Sequence, residues 1–134
     1  MKTLSLFFWE VALLAIFVGL IPIGVHSQQL DNKTFNIFMK DVNTPDKVQQ
    51  DVLKFVNGKL DSKECQPYGF SPSTYSSRQE GKSIAFSVNC QSEKEGEMLW
   101  NGKVTGNHIQ GKTVWKKTGQ KDITYEFTGN LENQ

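Results

Sequence analysis

From residue 82 onward, apolar and polar residues alternate with a period of two. Ile84, Phe86 and Val88 fall on one face. So do Met98, Trp100, Gly102 and Val104; then Ile109, Gly111, Thr113 and Trp115; then Ile123, Tyr125, Phe127, Gly129 and Leu131. Their neighbours are mostly polar: Glu97, Asn101, Lys103, Gln110, Lys112, Lys116, Thr124 and Glu126. This alternation describes a sheet with one face in a core and the other in water. Turn signals at Asn57-Gly58, Glu80-Gly81 and Gly106-Asn107 separate the segments, with longer loops at 41–50, 66–72, 91–96 and 118–120. The pattern predicts eight strands near 34–39, 51–56, 59–64, 73–79, 82–90, 97–105, 108–117 and 121–131. The expected fold class is all-β: a single antiparallel eight-strand up-and-down meander, forming a small closed or nearly closed barrel. The best helical candidate is a short turn opening the 46–56 segment after Pro45.

The register follows from the pattern. A two-residue turn at Gly106-Asn107 pairs Val104 with Ile109, Gly102 with Gly111, Trp100 with Thr113 and Met98 with Trp115, so that apolar residues meet on one face. A three-residue turn at 118–120 pairs Trp115 with Ile123, Gly111 with Phe127 and Ile109 with Gly129. Outside, Glu97 falls opposite Lys116, and Lys112 opposite Glu126. Large residues beside inward glycines fill a tightly curved barrel. In this order the tight turns share one end of the barrel and the longer loops the other.

The N-terminus has a different texture. Lys2 precedes an apolar stretch from Leu4 to Val25, split by Glu10 and interrupted by Pro22 and Gly24. Val25 and Ser27 stand at −3 and −1 to a cut before Gln28. This is the pattern of a cleavable secretory signal over residues 1–27. It leaves one domain over 28–134, no stable membrane span after cleavage, and a secreted or periplasmic location. No cysteine near the cut offers a lipid anchor. Cys65 and Cys90 are the two cysteines of the chain. In an oxidising compartment they are expected to form a disulfide at the long-loop end. Its loop of about 25 residues would contribute on the order of 3 kcal/mol. Asn32-Lys33-Thr34 also matches a glycosylation acceptor triplet.

Charge narrows the function classes. The chain carries 15 Lys and Arg against 14 Asp and Glu, and removing Lys2 and Glu10 leaves 14 against 13. A near-neutral domain lacks the concentrated basic face of a nucleic-acid binder. The mild cluster of Lys112, Lys116, Lys117 and Lys121 is explained as a solvated face by its acidic cross-strand neighbours. The catalytic inventory is thin. His26 lies in the signal segment, and His108 faces outward beside a tight turn. Glu93, Glu95 and Glu97 have no apolar enclosure to shift their pKa. No nucleophile–histidine spacing, metal-ligand motif or phosphate loop occurs, so neither catalytic residues, a metal nor a cofactor is assigned.

The run Cys65-Gln66-Pro67-Tyr68-Gly69-Phe70, with Glu95-Gly96-Glu97-Met98-Leu99-Trp100-Asn101-Gly102, Gly111-Lys112-Thr113-Val114-Trp115 and Tyr125-Glu126-Phe127-Thr128-Gly129, resembles small exported bacterial all-β proteins of unassigned function. The outline is also similar to the calycin barrels, the avidins and lipocalins among them. The early strand reads Phe35-Asn36-Ile37-Phe38-Met39, where lipocalins usually carry Gly-x-Trp.

Two functions are expected from these readings. The first is a non-catalytic module that binds a small apolar molecule at the long-loop end, with Tyr68, Phe70, Tyr75, Trp100, Trp115 and Tyr125 as ligand-binding residues. It requires a cavity lined by Tyr75, Trp100, Trp115 and Tyr125. The second is a protein-interaction or inhibitor module of the cell envelope or extracellular space, using the 66–72 and 91–96 loops. It requires a filled barrel with Tyr68 or Phe70 exposed.

Overall fold

The computed structural model describes residues 29–133. The expected signal segment over residues 1–27 and its expected cut before Gln28 lie outside the described residues. The strands are β1 (Lys33–Asp41), β2 (Val48–Val56), β3 (Lys59–Ser62), β4 (Ser73–Glu80), β5 (Ser83–Ser92), β6 (Gly96–Thr105), β7 (His108–Lys116) and β8 (Ile123–Leu131). They close into an antiparallel up-and-down barrel in chain order, β8 pairing with β1. The expected helical turn after Pro45 does not form. Residues 48–56 are extended because β1 offers a partner strand along their length.

Turn chemistry sets the hairpins. Asn57 and Gly58 both take positive φ, 52° and 72°, as a type I′ turn demands. In the β4–β5 and β6–β7 turns, Gly81 and Gly106 take positive φ at the first central position. The β6–β7 and β7–β8 registers are those expected from the alternation, including Gly102 opposite Gly111 and Trp115 opposite Ile123. Lys112 faces Glu126 and Glu97 faces Lys116, but the ion pair of Lys116 is with Asp122, at 3.4 Å. Lys117 pairs instead with Glu95, at 2.8 Å.

The interior is filled by side chains from every strand. Phe35, Ile37, Leu53, Phe55, Leu60, Trp100 and Ile109 are at most 2% exposed. Each such side chain contributes about 1.5–3 kcal/mol by leaving water. Phe55 stands at the centre, edge-on to Phe35, Tyr75 and Phe86 at 6.0, 5.1 and 5.2 Å. A Cβ on Gly102 would meet the Phe86 ring at 2.7 Å, and one on Gly111 would meet the Phe127 ring at 2.8 Å. The two phenylalanine rings therefore occupy the room these glycines leave.

The weakest joint is between β3 and β4, where only Lys59–Thr74 and Leu60–Ser73 pair. The segment before β1 closes the tight-turn end of this seam. Leu30 is fully buried, and Asp31 accepts hydrogen bonds from Gly58 N on one side and the Tyr75 hydroxyl on the other.

Cys65 and Cys90 are free thiols, which corrects the expected disulfide. Cys65 follows β3, Cys90 lies in β5, and the start of β4 separates them in the barrel wall. Ser62 lies beside the Cys65 thiol and Ser73 beside that of Cys90. Burial pushes the Cys65 thiol up to about 11 and also raises that of Cys90. Both thiols are protonated at neutral pH and poorly nucleophilic.

Candidate functional site

The long-loop end gathers four connections: 42–47, 63–72, 93–95 and 117–122. Its ordering begins inside the barrel, at Asp51 on β2. This carboxylate is 4% exposed. Its Oδ1 accepts from Val52 N at 2.7 Å and Glu64 N at 3.0 Å, and its Oδ2 accepts from the Ser62 hydroxyl. Loss of hydration raises its pKa, against the lowering effect of these three donors. Asp51 thereby pins the start of the β3–β4 connection to β2.

The chain then enters a 3-10 turn, Gln66–Tyr68, ended by Gly69 in the left-handed region at φ 83°. A Cβ at Gly69 would also sit 3.0 Å from Ser92 Oγ. The turn sends its two aromatics in opposite directions. Phe70 is 7% exposed and belongs to the core, whereas Tyr68 is 62% exposed. Ser92 locks this turn to the β5–β6 connection. Its hydroxyl donates to Tyr68 O at 2.7 Å and accepts from Glu95 N at 3.2 Å. Glu95 is fastened further: its carbonyl accepts from Trp115 Nε1 at 2.6 Å, and its carboxylate pairs with Lys117. The 66–72 and 91–96 loops are thus one hydrogen-bonded unit. Ser92 is the residue that the sequence reading missed here. Its inward place in the β5 alternation, two residues after Cys90, was the available signal.

The six aromatics selected from sequence have different fates. Tyr75 and Trp100 are buried, at 7% and 0% exposure, while Trp115 and Tyr125 are half-buried. Among the described residues, the ring contacts of Tyr75 and Trp100 go to Phe55 and Phe127, at 5.1 and 5.4 Å. Trp115 is spent on Glu95. Of two hollows in the barrel wall, the smaller has Tyr75 and Trp100 among its lining residues, and neither includes Trp115 or Tyr125. The larger, about 1070 Å³ and open to solvent, is lined by outward residues of β4 to β8, β1 and β2 together with Met39, Phe86 and Phe127 of the core. Its cations include Lys40, Lys103 and Lys112; Arg78 and Lys103 pair with Glu80. Phe38 and Val48 line it with 51% and 59% of their surface exposed.

Trp100 Nε1 and Thr113 Oγ1 are buried with no hydrogen-bond partner among the described residues. The two residues face each other across β6 and β7. His108 is exposed, and its ring faces Asn130 and Thr128. Asn32 is exposed with φ 67°. Among the described residues no group of three or more His, Cys, Asp and Glu is placed to hold a metal ion, and no helix is long and apolar enough to cross a membrane.

Comparison of the chain with protein-family models, curated proteins and solved structures gave no match. The fold itself defines the class: a closed eight-strand antiparallel up-and-down barrel.

Proposed function

We propose that the protein is a non-catalytic, exported interaction module that engages another protein through its long-loop end. The carrying observation is Tyr68. A tyrosine 62% exposed stands on a turn held from below by Phe70, from behind by Ser92 and at its root by Asp51. An aromatic presented on a rigid loop loses little conformational entropy on binding, and such residues are frequent anchors of protein interfaces. Exposed Val42, at the opening of the β1–β2 connection, adds apolar surface at the same end. The packed interior supports this reading over a large internal ligand cavity. The low nucleophilicity of the two thiols and the exposed setting of His108 support a role without chemistry.

The test is a photo-crosslinking amino acid placed at position 68, with a second at Gln110 on the outer wall as control, in cells that make the protein. A discrete protein adduct from position 68, absent from position 110, is expected. Its yield should fall when Gly69→Ala disturbs the turn. Equal adducts from both positions, or none from position 68, would refute the interaction surface.

A further inference from the structure

We infer that the outer wall of the barrel is a second site: a trough for a linear acidic polysaccharide in which charged and neutral sugars alternate. The inference is independent of the interaction surface, since Tyr68 does not line this hollow.

The larger hollow crosses the strands. Lys40, Glu126, Lys112, Asn101, Ser87 and Ser76 line it and are successive cross-strand partners, from β1 through β8, β7, β6 and β5 to β4. A parallel row on the same face runs from Phe38 through Gln110 and Lys103 to Arg78. Twisted strands give a barrel the form of a hyperboloid, drawn in at mid-strand, where these rows lie. At the usual spacing of neighbouring strands, six of them span roughly 24 Å along the wall. The smaller hollow shares Ser76, Ser87 and Asn101 with the larger, so the trough continues past them. A site of this length and openness suits a chain molecule.

Charge selects the kind of chain. Four cations line the larger hollow, Lys40, Arg78, Lys103 and Lys112, against two carboxylates, Glu80 and Glu126. Arg78 and Lys103 are held by Glu80. Lys40 and Lys112 flank Glu126 in register, yet among the described residues neither makes an ion pair. Two uncommitted ammonium groups thus stand two strands apart, about 10 Å, with a carboxylate between them. An anionic chain is attracted at both lysines and repelled midway. That pattern fits acidic sugars separated by a neutral one. The amides of Asn101 and Gln110 make no hydrogen bond among the described residues, and each can both donate and accept to sugar hydroxyls. Phe38, 51% exposed at the β1 end, offers a flat ring to the apolar face of a sugar.

Other polyanions fit less well. A single-stranded nucleic acid needs several stacking platforms. Phe38 is the exposed ring here, while Phe86 and Phe127 belong to the core. A peptide strand would need an open sheet edge, and the closed barrel offers none along these rows. A flat bilayer surface cannot follow a recessed trough.

The experiment is calorimetric titration of the purified protein with a hyaluronan octasaccharide, in which uronic acids alternate with neutral sugars. Parallel titrations use an alginate oligosaccharide, acidic at every sugar, a neutral dextran oligosaccharide and a polyglutamate peptide. Hyaluronan is expected to bind, and to weaken as salt is raised. Alginate and polyglutamate should bind more weakly and dextran not at all. Lys40→Gln combined with Lys112→Gln should weaken hyaluronan by about tenfold or more. Lys63→Gln combined with Lys121→Gln removes the same charge from exposed lysines outside the hollow and should leave binding unchanged. Glu126→Gln should raise the affinity for alginate toward that for hyaluronan. All five side chains are exposed, so the variants keep the packed interior. Absence of hyaluronan binding overturns the inference. So does dextran, alginate or polyglutamate binding as tightly, an equal loss in the two lysine pairs, or an unchanged alginate affinity in Glu126→Gln. A glycan in the trough yields no protein adduct from position 110, and Gly69→Ala should not alter glycan binding, so the two proposals fail separately.

Discussion

The hydroxyl of Tyr75 donates to Asp31 Oδ1 at 2.7 Å, across 44 residues of chain. The same oxygen accepts Gly58 N at 3.0 Å, and the Tyr75 oxygen itself accepts Leu30 N at 3.2 Å. These bonds tie the segment before β1 to the β2–β3 turn and to β4, beside the joint where the barrel wall has fewest strand pairs. Burial, together with the Asp31 carboxylate, raises the Tyr75 pKa, so the phenol remains a donor. Tyr75→Phe should therefore cost about 1.5–3 kcal/mol in urea unfolding, the range for a hydrogen bond to a charged group. Asp31→Ala should cost a similar amount. Because the residues share one bond, the double variant should cost clearly less than the sum. Strict additivity would show that the latch does not act as a unit.

The glycines divide into those that curve the wall and those that only turn a hairpin. A Cβ at Gly111 would lie 2.2 Å from Asn101 O and 2.6 Å from Gly102 Cα, both backbone atoms that cannot step aside. At Gly106 a Cβ would meet nothing within 4 Å, and only its φ of +58° resists substitution. Gly111→Ala should cost about 3 kcal/mol or more, at the upper end for overpacking. Gly106→Ala should cost about 1–2 kcal/mol, the penalty for a left-handed residue with a side chain. Equal thermal shifts for the two variants would contradict the wall-curving role of Gly111.

The thiols give a direct check on the barrel wall. Without any reductant, the unfolded protein should yield both Cys65 and Cys90 to a thiol reagent. The folded protein should react slowly at mildly alkaline pH, because burial keeps both sulfurs protonated. A protein that releases thiols only after reduction would show the two cysteines to be joined.

Asp51 makes stability depend on pH with a defined sign. Its pKa is raised in the folded state above the unfolded value of about 3.9. The folded protein thus holds this proton more tightly than the unfolded chain. Its stabilising contribution is complete below the unfolded value and is lost as pH rises through the folded value. Asp51→Asn cannot ionise, and it can still accept from Val52 N and Glu64 N while donating to Ser62. Across that window, the stability of the parent relative to Asp51→Asn should fall with rising pH. A difference that is flat or rises with pH would reverse the reading of this carboxylate.

Much of the architecture was legible in the chain. Period-two alternation and two hairpin turns specify the pairing of Val104 with Ile109 and of Gly111 with Phe127, because a slip by one residue would turn every apolar side chain into water. Those are local facts. The separation of Tyr68 from Phe70 was not legible. Two aromatics around one glycine look alike until the left-handed Gly69 and the Ser92 bond decide which one turns inward. The tie between Asp31 and Tyr75 was also hidden, since no local pattern joins residues so far apart.

What the sequence determined by itself is therefore the all-β class, the antiparallel order and the register of β6–β7 and β7–β8, all consequences of nearest-neighbour alternation and turn geometry. Tertiary structure alone decided that Cys65 and Cys90 stand apart on either side of β4. It also decided that Phe55 rather than Trp100 holds the centre of the aromatic packing, and that Trp100 and Thr113 bury polar atoms with no hydrogen-bond partner among the described residues. Closing a sheet into a barrel brings every strand against every other across a single small interior. Which side chains fill that interior, and which polar groups they leave over, depends on all eight strands at once.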